Sequence, residues 1–288
     1  MKRTQGKVAV VTGSSSGIGF ETSLALARTG FYTYATMRNP EKSNLITKIA
    51  TSEKLPLQAL SLDVNIEKSV TEGINKILNE SERIDVLVNN AGFDLTGSLE
   101  ETSMDEIKGQ FETNLFGAIR TMQAVIPTMR NQRSGKIVNI TSVGGKLAIP
   151  FHSGYHGTKF ALEGLSESIQ YELDPFGIKI IIIEPGAVGS NFWKNMKSAG
   201  KSLNPTDGNS PYVSMISNMS AALKQMEQSS IPPSEVANVI VSAVSIDNPD
   251  FRYVVGKDAI MTLEAKRKMS DLEFKRLIKK QLNLQNDV

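Results

Sequence analysis

Short apolar runs alternate along the chain with longer amphipathic stretches. Apolar runs rich in β-branched residues predict strands that are buried on both faces. These predicted strands cover residues 7–12, 31–37, 57–64, 84–89, 136–141, 178–183 and 251–255. Apolar positions with helical spacing predict helices between them, over residues 20–29, 41–51, 66–82, 103–130, 153–174 and 233–245. This β-α alternation predicts an α/β protein with a doubly wound parallel sheet.

Residues 187–231 interrupt the alternation. The segment is rich in Ser, Asn, Gly and Pro, yet it also carries aromatic residues and methionines. Long insertions in compact domains are commonly functional, and these apolar side chains argue against simple disorder. We interpret the segment as a lid with an apolar lining; the alternative is a helix pair packed on the core. The apolar side chains are Phe192, Trp193, Met196, Tyr212, Met215, Met219 and Met226.

Residues 257–288 are polar and helix-prone. They hold eight Lys or Arg residues and five Asp or Glu residues, a net charge of +3. We expect a solvated terminal helix, and a membrane-surface role is the alternative. No repeat or linker is evident, so we interpret residues 1–288 as a single domain.

Composition and charge exclude several classes of function. The 288 residues are 40% hydrophobic and carry a net charge of +2, so bulk electrostatics favour neither a nucleic acid nor a membrane partner. There are no cysteines, which excludes disulfides and thiolate sites, and with only two histidines we expect no metal site. Because no apolar stretch approaches the length of a membrane span, we expect a cytoplasmic protein.

A glycine-rich turn follows the first predicted strand and precedes a helix. Its spacing from Gly13 to Gly19 is Gly-x-x-x-Gly-x-Gly. Glycines allow a pyrophosphate to approach the backbone, and a helix N-terminus attracts its charge. The turn therefore predicts a dinucleotide site, and a purely structural turn is the alternative. The candidate cofactor-binding residues here are Gly13, Ser15, Ser16, Gly17, Ile18 and Gly19.

Arg38 follows the second predicted strand, where a fold that prefers NAD usually has an acidic residue for the ribose 2′-hydroxyl. A guanidinium can pair with a 2′-phosphate. The sequence therefore favours NADP over NAD, and a solvated loop arginine is the alternative.

Tyr155 and Lys159 are four residues apart on a predicted helix, so they share one face. A nearby ammonium favours the phenolate, so we expect Lys159 to lower the pKa of Tyr155 and make it a useful acid or base. A solvated Tyr/Lys pair is the alternative. Ser142 and Pro185-Gly186 also follow predicted strands, so the sheet should bring them to the edge that carries the glycine turn.

Taken together, these motifs resemble the short-chain dehydrogenase/reductase family over about residues 5–190. The family's pattern matches Thr12-Gly13-x-x-x-Gly17-Ile18-Gly19, Asn89-Asn90-Ala91-Gly92, Asn114, Ser142, Tyr155, Lys159 and Pro185-Gly186. The resemblance implies a Rossmann-type sheet of about seven strands in the order 3-2-1-4-5-6-7. More weakly, the second strand end and the 187–231 insertion resemble the branch that includes 17β-hydroxysteroid and retinol dehydrogenases.

The resemblance also implies residue roles. Tyr155 would be the proton donor, Lys159 would lower its pKa and hold the nicotinamide ribose, Ser142 would orient the carbonyl, and Asn114 would position a relay water. The implied cofactor contacts are Asp63 and Val64 at the adenine, Asn90, Ala91 and Gly92 at the adenosine ribose, and Pro185, Gly186, Val188 and Ser190 near the nicotinamide. Ser190 stands where many members have Thr. A homodimer or homotetramer built on helices 103–130 and 153–174 is also implied.

These observations predict an NADP-dependent oxidoreductase that acts on a carbonyl/alcohol pair of a small-molecule substrate. Apolar residues on the presumed pocket loops favour a bulky, apolar substrate; they are Leu147, Ile149, Phe151, Trp193 and Met196. For His152 we favour a surface or supporting role over substrate contact. The alternatives are a silent NADP-binding redox sensor, an NAD-dependent alcohol dehydrogenase of the same family, a nucleotide-sugar epimerase or dehydratase, and a structural role.

Overall fold

A computed structural model describes residues 6–189, 197–199 and 210–284. Its strands are β1 Val8–Val11, β2 Tyr32–Met37, β3 Leu57–Ser61, β4 Val86–Asn89, β5 Leu95–Thr96, β6 Gly135–Ile140, β7 Ile178–Pro185, β8 Lys197–Ser198 and β9 Arg252–Val255. Its α-helices are α1 Gly17–Arg28, α2 Asn44–Ser52, α3 Glu67–Ser81, α4 Met104–Phe111, α5 Gly117–Gln132, α6 Ser153–Leu173, α7 Val213–Gln228, α8 Pro233–Ser245, α9 Lys257–Lys268 and α10 Asp271–Gln281.

Seven strands form one parallel sheet in the order β3-β2-β1-β4-β6-β7-β9. The doubly wound parallel fold is confirmed. The labels differ from the predicted order because β5 and β8 were not predicted; these two short strands pair with each other in a separate sheet. Since all seven strands run the same way, the segments after β1, β4, β6 and β7 meet at one edge.

Both faces of the sheet are covered, as its nearly continuous apolar strands require. Helices α3, α5 and α6 pack on one face around Ile74, Val125 and Leu162. Helices α1 and α8 pack on the other face around Leu26 and Ile240.

The long helix predicted over residues 103–130 is interrupted. Helix α4 begins with a capping box in which Ser103 and Glu106 satisfy each other's backbone N–H groups. Residues Glu112–Phe116 then form one π-helical turn before α5 begins. Such turns concentrate at functional sites, and this one carries Asn114.

The C-terminal segment is not the solvated helix that its charge predicted. Helix α10 buries Phe274 and Ile278 in an apolar cluster that also contains Ile216 and Met219 of α7 and Phe151. The two apolar residues of α10 are four apart, so they share one face, while the charged residues occupy the other. Within the described part of the chain, no helix combines the length and apolar character needed to cross a membrane.

Candidate active site

The glycine turn wraps closely around the loop that follows β4. Gly13 has φ +69°, a conformation that favours glycine. A Cβ at Gly19 would lie 2.6 Å from the Gly13 carbonyl oxygen and would also collide with the Asn90 amide. The N-terminus of α1 follows, and its N-cap residue Ser16 makes no side-chain capping bond. This bare turn and open helix end fit a pyrophosphate.

Thr12 and Asn90 fasten the glycine turn to the β4 loop. The Thr12 hydroxyl oxygen accepts from the backbone N–H groups of Asn90 and Ala91, each at 3.0 Å. The Asn90 side-chain amide donates back to the Thr12 carbonyl at 2.9 Å. Asn90 therefore supports the turn. Sequence reasoning assigned no role to Thr12, although its place directly before Gly13 was the available signal.

The ends of β2 and β3 place the remaining adenosine-side candidates. Arg38 is exposed directly after β2. The Asp63 carboxylate accepts from the Asn65 N–H at 3.0 Å, within its own loop. Val64 is buried, and a Cβ at Gly117 would collide with its side chain. The side chain of Val64 is thus part of the core, and Asp63 shapes the loop beside it.

Ser142 and Tyr155 come together at the centre of the sheet edge. The Ser142 hydroxyl oxygen accepts from the Gly144 N–H at 3.0 Å, which turns the chain directly after β6. Ser142 also hydrogen-bonds with Tyr155, which lowers the pKa of the phenol in part. Two hydroxyls joined in this way can both address one carbonyl oxygen.

Lys159 lies one turn beyond Tyr155 on α6 and is buried. Its Nζ donates to the Ile140 carbonyl at 2.8 Å and lies 5.6 Å from the centre of the Tyr155 ring. Burial lowers the pKa of Lys159 to about 8, against the opposing charges of Asp94 and Glu163.

The sequence predicted a lowered pKa for Tyr155, and this prediction is wrong. Burial raises the pKa of Tyr155 above its ordinary value, and the nearby Asp94 carboxylate raises it further. These two effects outweigh the Ser142 hydrogen bond. Tyr155 is consequently a neutral phenol at physiological pH, which is the state that can donate a proton.

Asn114 reaches the site from the π-helical turn. Its Oδ1 accepts from the Phe93 N–H at 3.0 Å, and its Nδ2 donates to the Phe93 carbonyl at 2.9 Å and to the Thr158 hydroxyl at 3.2 Å. It therefore joins the β4 loop to the helix of Tyr155 and Lys159. These contacts fix the position of Asn114, and the water relay implied for it stays a prediction.

His156 closes the loop that carries Ser142. Its Nδ1 lies 2.8 Å from the Gly144 carbonyl oxygen, and its Nε2 accepts from the Ile149 N–H at 3.0 Å. Burial lowers the pKa of His156, so the ring is neutral and donates through Nδ1. Sequence reasoning gave this histidine no role.

His152 is buried and is therefore not a surface residue. Its Nδ1 lies 2.7 Å from Asp94 Oδ2, and both residues are only 4% exposed. Asp94 was not a sequence candidate, because nothing local links two residues 58 positions apart.

The turn after β7 is held by the C-terminal segment. Asp258, in the first turn of α9, accepts from the Ala187 N–H at 2.8 Å. A Cβ at Gly186 would collide with the same carboxylate. Val188 is buried and pairs with Ile231 as an isolated bridge. The candidates Ser190, Trp193 and Met196, and Phe192 of the predicted lid, lie outside the described residues.

Apolar side chains of the loop between Ser142 and Tyr155 form an apolar wall together with α7 and α10. Leu147 and Phe151 are buried, and Ile149 packs against them, in the cluster shared with α7 and α10. Phe151 meets Tyr212 edge-on, with ring centres 6.1 Å apart. Among the described residues, no group of three or more metal-ligating side chains occurs.

Comparison with known proteins assigns the family. The sequence model of the short chain dehydrogenases matches residues 7–201. The chain belongs to the short-chain dehydrogenase family. It is an oxidoreductase by family, and the resemblance predicted from its motifs is confirmed.

Two relatives and one solved structure illustrate the family membership. The dehydrogenase is 34% identical to the 3-ketodihydrosphingosine reductase of Bacteroides thetaiotaomicron over 264 residues, covering 92% of this chain and 93% of that protein. It is 34% identical to the 17-beta-hydroxysteroid dehydrogenase type 1 of Homo sapiens over 255 residues, covering 85% and 76%. An alcohol dehydrogenase of Thermococcus sibiricus, solved with 5-hydroxy-NADP, superposes with a TM-score of 0.71 at 27% identity, covering 87% and 96%. A nicotinamide cofactor fits this family.

Proposed function

We propose that this short-chain dehydrogenase is an NADP-dependent reductase of a carbonyl group on a bulky, apolar substrate. The observation that carries the proposal is the assembly of Ser142, Tyr155 and Lys159 at the sheet edge that also carries the glycine turn. The coarser conclusion, an oxidoreductase of this family, does not depend on the choice of cofactor or substrate.

Proton transfer to the substrate falls to Tyr155. A substrate carbonyl oxygen placed between the Tyr155 and Ser142 hydroxyls would accept hydrogen bonds from both. The negative charge that develops on this oxygen during reduction is then met by two fixed donors, the arrangement that stabilises such charge best. Tyr155 gives up its proton as the alcohol forms, and the neighbouring Lys159 ammonium favours the phenolate that remains.

The cofactor would lie across the sheet edge. The turn from Gly13 to Gly19 would hold the pyrophosphate, and Lys159 is the candidate for the nicotinamide ribose. When bound, the nicotinamide supplies the hydride. The bare glycine turn and open helix end are the observations that support this placement.

The exposed guanidinium of Arg38 supports NADP over NAD. We expect Arg38→Asp to weaken NADPH binding about tenfold or more and to leave NADH binding unchanged or improved. Lys42→Asp, at another exposed position nearby, controls for the general charge change. Equal losses for both cofactors, or the same loss in the control, would refute the role of Arg38.

The apolar wall supports a substrate with a large hydrocarbon part. Both named relatives, a 3-ketodihydrosphingosine reductase and a 17-beta-hydroxysteroid dehydrogenase, have names that indicate such molecules. For this chain we propose the shared feature, a ketone on an extended apolar skeleton, with Leu147 and Phe151 along one side.

NADPH oxidation measured against a panel of ketones tests the proposal. The panel runs from small ketones to long-chain and steroid ketones. Tyr155→Phe should abolish turnover while cofactor affinity stays. Tyr171→Phe, an exposed tyrosine on the same helix, is the matched control and should remain active. Full activity of Tyr155→Phe would end the mechanism, and a preference for small ketones would end the substrate assignment.

A further inference from the structure

The pair formed by Asp94 and His152 has no part in the mechanism described so far. We propose that this buried pair positions protons at the active site: the Asp94 carboxylate keeps Lys159 charged and Tyr155 neutral, so that both stand ready for reduction. This inference rests on the proposed function for its meaning, but its electrostatic content can be tested without catalysis.

The Asp94–His152 pair is buried and is not exposed to a substrate. Asp94 Oδ2 and His152 Nδ1 are 2.7 Å apart, and both side chains are almost completely removed from solvent. The remaining polar atoms, Asp94 Oδ1 and His152 Nε2, are inaccessible and have no hydrogen-bond partner among the described residues. Because buried polar atoms without a partner cost stability, packing alone does not account for the pair.

The position of the pair directs its field at the catalytic residues. Asp94 follows Phe93, whose backbone is held by Asn114. His152 is the N-cap residue of α6, one turn before Tyr155. Asp94 raises the pKa of both Tyr155 and Lys159. A carboxylate at this place therefore opposes loss of the proton from either group.

Other charges near Lys159 are already engaged. Glu163, one turn further along α6, lies 2.8 Å from Lys146 Nζ and 3.3 Å from Arg252 Nε. These cations offset its negative charge. His156 is neutral and occupied by the backbone groups of the Ser142 loop.

Asp94 differs from Glu163 because its hydrogen-bond partner is a histidine. Arginine and lysine are permanently charged near neutral pH, whereas histidine is not. Among the described residues, Asp94 makes no ion pair with a lysine or arginine, so no such cation offsets its charge as Lys146 and Arg252 offset that of Glu163. Glu163, the second carboxylate that supports the Lys159 charge, contributes less than Asp94 does.

Removing the charge while keeping the shape isolates this effect. In Asp94→Asn the side-chain oxygen still accepts from His152, but the carboxylate is gone. We expect the pKa of Lys159 to fall by about one unit from its wild-type value. The measurement is an NMR titration of isotope-labelled lysine in the cofactor-free protein, with the Lys159 signal assigned by its loss in Lys159→Arg.

His152→Gln is the matched variant, because it keeps the Asp94 carboxylate and replaces the imidazole with an amide that can still donate to it. The Lys159 pKa should stay at or above its wild-type value. A fall in both variants would indicate a packing effect and overturn the proposal, as would an unchanged Lys159 pKa in Asp94→Asn. Thermal unfolding of both variants confirms that each is folded.

The activity of the enzyme supplies a second readout. In Asp94→Asn the alkaline limb of the reduction rate should move to lower pH by the same interval, which lowers turnover about threefold at about pH 7.5. A uniform loss at all pH values would contradict the assigned role. Should Tyr155→Phe prove active, the proposed function fails, yet the lysine titration still decides whether the pair controls Lys159.

Discussion

Asn114 holds the backbone of Phe93 by both of its polar atoms, with Oδ1 3.0 Å from the Phe93 nitrogen and Nδ2 2.9 Å from its carbonyl oxygen. The amide thus bonds the loop backbone on both sides, much as a neighbouring strand would, and Gln110 also donates to the Phe93 carbonyl at 3.3 Å. Because Asn114 sits on a π-helical turn, its side chain also reaches Thr158 of α6 at 3.2 Å.

Asn114→Ala should cost both stability and turnover. The variant removes three hydrogen bonds at a partly buried position, a cost of about 1–3 kcal/mol in the free energy of unfolding. The β4 loop and α6 would lose their fixed spacing, so kcat should fall at least about tenfold. Denaturant unfolding and NADPH oxidation measure the two effects. Thr113→Ala, the preceding residue on the same turn, is the control; equal losses in both would contradict a specific role for Asn114.

Gly19→Ala should abolish cofactor binding. Its Cβ would collide with the Asn90 amide and the Gly13 carbonyl, which together shape the turn. Gly109→Ala, on α4, meets nothing within 4 Å and should stabilise the protein by about 0.5–1 kcal/mol through helix propensity. Fluorescence titration with NADPH and thermal unfolding compare them. Normal NADPH affinity in Gly19→Ala would show that the turn does not hold the cofactor.

Lys159→Met should show how burying the Lys159 ammonium makes the free energy of unfolding depend on pH. The folded protein lowers the pKa of Lys159 to about 8, below its unfolded value of about 10.4, so the unfolded chain binds the extra proton between these values. Wild-type stability should therefore rise relative to Lys159→Met as the pH increases from about 8 to about 10. Lys108→Met, an exposed lysine on α4, controls for loss of one charge. A difference in unfolding free energy between wild type and Lys159→Met that does not change with pH would contradict the lowered pKa of Lys159.

Phe274→Ala should weaken the packing of α10 that supports the apolar wall. Phe274 is 5% exposed and packs in the cluster that joins α10 to α7. Its truncation should cost about 3 kcal/mol or more and raise KM for bulky ketones more than for small ones. Leu272→Ala, 57% exposed on the same helix, should stay within about 0.5 kcal/mol of wild type. A KM increase that is equal for small and bulky ketones would remove α10 from substrate recognition.

Features that depend only on neighbouring residues could be predicted from the sequence. The apolar strands, the turn from Gly13 to Gly19 and the spacing of Tyr155 and Lys159 each depend on a few adjacent positions. The parallel sheet then fixed the shared edge, because all strand ends point the same way. These local signals sufficed for the sheet and for the meeting of Ser142 with Tyr155.

Features that depend on distant residues were missed. The π-helical turn at Asn114 hardly disturbs the apolar spacing of the helix predicted over residues 103–130. Asp94 and His152 are 58 positions apart in the sequence, so no local motif predicted their contact. The predicted direction of the Tyr155 pKa shift was wrong because burial and Asp94, both products of folding, raise this pKa by more than the Ser142 hydrogen bond lowers it. The buried face of α10 was hidden by its excess of positive charge.

The hydrogen bond from the Ala187 N–H to the Asp258 carboxylate makes the turn after β7 depend on a residue that is synthesised 71 positions later. A growing chain that has reached residue 256 already contains Asn114, Ser142, Tyr155 and Lys159. It lacks the carboxylate that fastens the turn after β7 and the helix that backs α7. The site is therefore completed by residues that are made after all four of these side chains, and a chain that stops at residue 256 would carry the proposed catalytic residues without the contacts that hold the turn after β7.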